Sequence, residues 1–209
     1  GSLVLLASSY GLRVFDVSDP AAPVALGFYR EPDGFEGVQL AGNLVYAAGR
    51  AGLKVFDVTD PHALVPVGEW STSGSASALH VAGDFAYVAA GSEGLQIFNV
   101  ADRQTTTPLA IHETVDRAGD VSVSRGYAFV CVMGSGLEIV DVSDPVHPVR
   151  IAHHHPNRPP IPFTAHAITV FGDFAYVASR GTFAQILDVS DPARPQPLGT
   201  FYTERPNEA

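Results

Sequence analysis

The chain alternates short, densely apolar runs with tight clusters of Gly, Asp, Ser and Pro. Residues 79–112 show the pattern most clearly. Leu79-His80-Val81 reads as a short inner strand, turned by Ala82-Gly83-Asp84 into a nearly all-apolar second strand, Phe85 to Ala90. A loop, Gly91-Ser92-Glu93-Gly94, leads to a third strand from Leu95 to Val100, and a further turn feeds an outer strand ending near His112. The second and third strands carry β-branched and aromatic residues on both faces, which predicts a sheet sandwiched between two others. Equivalent inner strands are predicted at Val38-Gln39-Leu40, Val121-Ser122-Val123 and Ile168-Thr169-Val170.

One motif punctuates these units five times: FDVSDP at 15–20, FDVTDP at 56–61, FNVADR at 98–103, VDVSDP at 140–145 and LDVSDP at 187–192. Successive copies stand 41, 42, 42 and 47 residues apart. A period in the forties flanked by strands is the signature of a β-propeller blade. The reading is an all-β, five-bladed propeller of four-stranded blades in one domain, 1–209, with units near 1–30, 38–70, 79–113, 121–155 and 168–202. The paired carboxylates Asp16/Asp19, Asp57/Asp60, Asp141/Asp144 and Asp188/Asp191 resemble calcium ligands only superficially. Asp and Ser before Pro build a tight turn, and recurrence in nearly every unit marks a structural rule.

The repeated pattern G-D-F-A-Y-V-A … G-L-x-I-x-D-V-S-D-P-x-x-P-x-x-x-G resembles the LVIVD repeat, a bacterial and archaeal propeller repeat, over essentially the whole chain. The resemblance implies a propeller of a kind frequent in surface or exported proteins, hence an extracytoplasmic or cell-surface setting. It implies no particular activity and brings no catalytic residues.

A net charge of −10 argues against nucleic acid, whose phosphates need a Lys/Arg surface this chain lacks. No run approaches the roughly 18 apolar residues of a membrane-spanning helix. The apolar LVLLASS at 3–9 aligns with LVYAAGR at 44–50 and reads as a strand, not a signal remnant. The single cysteine, Cys131, has no internal disulfide partner and lies in the apolar YAFVCVM, where a buried, inert thiol is expected.

The first unit opens directly at its second strand, Leu3 to Ser8, and lacks an inner strand. Three arrangements are open at this stage: a self-closed ring with one three-stranded blade, a piece of a longer propeller, or self-association through the incomplete first blade.

Propeller ligands usually bind where the loops entering the inner strands meet those joining second and third strands. Glu36, Ser77, Asp120 and His166 precede the four inner strands, while Tyr10, Arg50, Glu93, Met133 and Arg180 lie on the other loops. Of these, Glu36, Asp120, His166, Arg50, Arg180 and Tyr10 are the candidate ligand-binding residues of the channel mouth. The strongest local departure is the loop 153–166, which holds four of the eight histidines and explains the longest spacing. His153, His155 and His166 are candidate ligands for a metal such as zinc, although their spacing matches no zinc signature. No nucleophile elbow, phosphate loop or dinucleotide fingerprint appears. Glu36 and Asp120 would supply the two carboxyl groups a glycosidase needs, yet nothing in the sequence tunes them. Trp70 is either a stacking platform or a seal between blades. The expected function is a non-catalytic scaffold, needing no cofactor, that engages a small ligand, a glycan or a protein. The alternatives are a metal-dependent, hydrolase-like enzyme using the histidine loop, or a fragment of a longer propeller.

Overall fold

The computed structural model describes residues 2–102, 106–155, 164–179 and 183–202. Blade one contains β1 (Leu3–Ser8), β2 (Gly11–Asp16) and β3 (Val24–Arg30). Blade two contains β4 (Gly37–Ala41), β5 (Leu44–Gly49), β6 (Gly52–Asp57) and β7 (Val65–Trp70). Blade three contains β8 (Ala78–Ala82), β9 (Phe85–Ala89), β10 (Leu95–Asn99) and β11 (Ala110–His112). Blade four contains β12 (Ala118–Ser124), β13 (Tyr127–Val132), β14 (Gly136–Asp141) and β15 (Val149–His154). Blade five contains β16 (Ala165–Phe171), β17 (Phe174–Ser179), β18 (Phe183–Asp188) and β19 (Gln196–Tyr202). Each sheet is an antiparallel meander in chain order, and the first blade has three strands. Five blades and the missing first inner strand agree with the sequence reading.

The motif turns explain why every unit needs its acids. Asp16 Oδ1 accepts the Ser18 N–H at 2.8 Å and the Ser18 hydroxyl at 2.6 Å, and Asp57 and Asp141 repeat the pair with Thr59 and Ser143. Asp19, Asp60, Asp144 and Asp191, the second acids of four motifs, each accept the N–H two residues on, from Ala21, His62, Val146 and Ala193. These bonds hold the carboxyls of Asp16, Asp141 and Asp188 below the usual carboxylate range. The acids are spent on the turns, as Asx-turn chemistry requires.

Four apolar clusters lie between successive blades. Val45, Ala47 and Phe56 close blade two against blade one. Tyr46, Val55 and Trp70 meet Val88 and Phe98, and Tyr87 and Ile97 meet Val130 and Val140. Phe129 and Ile139 meet Val177 and Leu187. Successive residues of one strand thus serve opposite interfaces, which is why these strands show no polar face. Trp70, 2% exposed, is a seal and not a platform, and a Cβ on Gly68 would lie 2.6 Å from its ring. Gly52 opens β6 at φ +109°, where a Cβ would lie 2.3 Å from the Trp70 carbonyl. A left-handed conformation and a crossing backbone together require glycine there.

A second set of contacts between blades is polar and equally periodic. In blades two to five, an aligned residue near the start of the third strand reaches back to the end of the preceding blade's outer strand. Lys54 pairs with Glu31, and Gln96 takes both the N–H and the carbonyl of Ser73. Glu138 accepts the Val115 N–H at 2.8 Å and lies 3.1 Å from His112 Nε2, while Gln185 lies 3.1 Å from His154 Nε2. Gln96 and Glu138 are fully buried. Burial of a polar group is tolerable only with such partners, and here they fix the register of one blade on the next.

Cys131 sits in β13 facing the cluster between blades four and five, fully buried. Burial pushes its thiol well above the ordinary value. Iodoacetamide is therefore expected to leave the folded protein unlabelled and to modify Cys131 only as blades four and five separate. Labelling of folded protein at the rate of a denatured control would contradict this packing.

Candidate functional site

The first strands of blades two to five stand side by side around the axis and are stitched by side chains. Gln39 of β4 bonds the N–H and carbonyl of Val81 in β8 at 2.8 and 3.1 Å. Asp120 Oδ2 accepts the Ile168 N–H of β16 at 2.8 Å while its Oδ1 accepts the Val121 N–H. Ser122 Oγ accepts the Val170 N–H at 3.2 Å. Burial raises the Asp120 pKa, against the pull of these two N–H groups and of nearby His166.

At the end where these strands begin, a cavity of about 500 Å³ opens, lined by Glu36, Gly37, Val38, Ser77, Ala78, Leu79, Gly119, Asp120, Met133 and His166. The four residues expected before the inner strands do converge. Two of the four also bond to the backbone. Asp120 has both oxygens on backbone N–H groups, and Ser77 donates its hydroxyl to the Ala89 carbonyl. Glu36 and His166 are exposed at the mouth. Val38, Leu79 and Met133 add apolar wall. Arg50 does not line this cavity. It lies with Glu36, Asp33 and Phe35 on a neighbouring one of about 350 Å³, so Glu36 forms the rim between the two. Tyr10, 74% exposed, lines neither. Arg180 and the loop residues 156–163 lie outside the described residues.

The histidines separate. His153 belongs to β15, the outer strand of blade four, with Nε2 2.6 Å from the Ser135 carbonyl oxygen, and His155 follows that strand. His166 belongs to β16 at the centre, beside Asp120 of β12. Strand β12 lies three strand spacings inward of β15, roughly 14 Å at about 4.8 Å each. Among the described residues no three His, Cys, Asp or Glu side chains come together as a metal requires. No helix among them is long and apolar enough to cross a membrane.

Comparison with known structures places the arrangement among propellers. The WD40 β-propeller domain of Doa1 superposes with a TM-score of 0.77 at 11% identity, over 97% of this chain and 66% of that one. The computationally designed protein Ika8 gives 0.71 at 10% identity, over 96% and 59%. The designed protein Ika4 gives 0.57 at 10% identity, over 83% and 94%. The chain thus spans about six-tenths to two-thirds of the length of the first two. Among curated proteins, none matches the sequence. The LVIVD repeat model matches residues 6–31, 36–72, 73–103, 117–153 and 164–203, one match to each blade, and the chain belongs to the LVIVD-repeat family.

Proposed function

We propose that the protein is a non-catalytic binding scaffold whose working surface is the channel mouth. One observation carries the reading: four blades bring different side chains, Glu36, Ser77, Asp120 and His166, to one cavity, three of them at equivalent positions and Asp120 one residue further along its strand. Identical blades would make a symmetric rim, whereas differing ones suit an asymmetric ligand. The architecture supports binding more than turnover. Of the two carboxyls that line the cavity among the described residues, Asp120 is engaged by backbone, and Cys131 is buried. Glu36 has no ion-pair partner among the described residues, and the chain carries a net charge of −10, so the mouth favours a ligand with a cationic group.

Ligand-observed NMR with a panel of spermidine, choline, lysine-containing tripeptides and neutral disaccharides tests this. At least one cationic probe is expected to bind, Glu36→Gln to weaken it about tenfold, or about 1.4 kcal/mol, and Leu79→Trp to block it. Binding of the neutral sugars alone, unaffected by either substitution, would overturn the cationic preference. No binding by any probe would overturn the mouth as a small-ligand site.

A further inference from the structure

Blades one and five each carry an interblade face that none of the described residues covers. On blade five, Tyr176 occupies the position of Tyr46, Tyr87 and Phe129, which the following blade buries completely or nearly so. Tyr176 is 40% exposed and Phe171 beside it 80%. On blade one, Val4 and Leu6 stand where blade two has the fully buried Val45 and Ala47, and they are 46% and 48% exposed. Among the described residues, no apolar cluster joins blade five to blade one.

The polar contact is also half-made. Arg13 has the position from which Lys54, Gln96, Glu138 and Gln185 reach back to the preceding blade. With none of the described blades packed against this face, Arg13 is exposed and lies over the Phe28 ring at 4.6 Å. In sequence, Phe201-Tyr202-Thr203-Glu204 repeats Phe28-Tyr29-Arg30-Glu31, the segment whose Glu31 holds Lys54 of the following blade.

We infer that the two faces bracket a gap in the ring, and that further blades of the same repeat, in register with the array, fill it. Curvature selects this occupant. The five blades superpose on about two-thirds of the Doa1 propeller and fit the shorter Ika4 less well, so the gap has room for about two or three more blades. A second copy would bring five, and its later blades would collide with blade one. The incoming segment must present small or aliphatic residues to blade five, and an acid or carbonyl to Arg13. This inference stands apart from the ligand reading of the mouth.

Two extended chains test it, with a second copy of residues 32–113 or of 32–155 appended after residue 204. At least one is expected to be monomeric, to melt roughly 10 °C or more above the parent, and to lower hydroxyl-radical labelling of Tyr176 to that of Tyr87. Arg13→Ala should leave the parent's melting temperature unchanged and lower that of the extended chain. Parental melting temperature and Tyr176 labelling in both extended chains would overturn the inference. So would a discrete oligomer of the parent at low micromolar concentration, dispersed by Tyr176→Asp, because a second copy would then be the occupant. If neither extended chain folds, Val4→Asp and Tyr176→Asp in the parent decide: unchanged melting supports open faces, and a lowered melting temperature shows that they already meet.

Discussion

Replacing Phe129 with alanine is expected to cost about 3–5 kcal/mol, while the equivalent Tyr176→Ala costs about 1 kcal/mol or less. Both residues are third in the second strand of their blade, both point to the following interface, and both oppose an isoleucine of the third strand, Ile139 or Ile186. Only their surroundings differ. Phe129 is completely enclosed by blade five, so truncation removes its apolar transfer energy and leaves a cavity that packed neighbours refill only in part. Tyr176 keeps much of its ring in water, and alanine there opens no cavity. Against a total stability of about 5–15 kcal/mol, the first change removes a large fraction. In a repeat array the loss falls on the nearest interface, so blade five should detach before blades one to three melt. Urea unfolding gives the energies, and hydrogen exchange resolves the order. Equal costs at the two positions would mean that Tyr176 is covered in solution.

Much of this architecture is legible in the sequence because the repeat writes each constraint several times. The run Phe85 to Ala90 is apolar at every position, which only a strand buried on both faces explains, and β9 is that strand. The motif acids were readable as turn formers for the same reason: ligand sites do not recur in nearly every blade, whereas turns do. What a repeat cannot announce is how its differing positions are used. Asp120 looks like a free carboxylate at a channel mouth, yet the N–H groups that engage it belong to Val121 and to Ile168, one blade away. His153 and His166 are near in sequence and on opposite edges of the blade architecture, since the loop between them crosses from an outer strand to the next inner one. The series Lys54, Gln96, Glu138 and Gln185, buried in its last three members, did leave a signal: one polar residue at the same position of each largely apolar third strand. A lone polar side chain that recurs in buried strands asks for a recurring partner.

Glu138 is the member of that series whose loss should be felt most. Its carboxylate is completely buried between blades three and four, accepting the Val115 N–H, with His112 Nε2 at 3.1 Å and the Arg150 guanidinium at 3.2 Å. Burial alone would raise its pKa. The bonds from His112 and Val115 and the attraction of Arg150 outweigh burial and lower it. Alanine would strand the Val115 N–H and two basic groups, of which Arg150 can turn to water, so a loss of about 2–4 kcal/mol is expected. Glutamine keeps the shape and one acceptor and should cost about 1–2 kcal/mol. The pH dependence separates the charge from the packing. A carboxyl lowered by folding stabilises fully above its unfolded value, about 4.3, and that contribution disappears as pH falls through the lower folded value. The parent should therefore lose stability across that acid window, and Glu138→Gln should lose less, so the two curves converge below it. Parallel curves from pH 7 down through the window would show that Glu138 contributes as a packed, hydrogen-bonded shape and that its charge adds nothing. The blades would then be held in register by geometry alone, as uncharged Gln96 already holds blade three to blade two through Ser73.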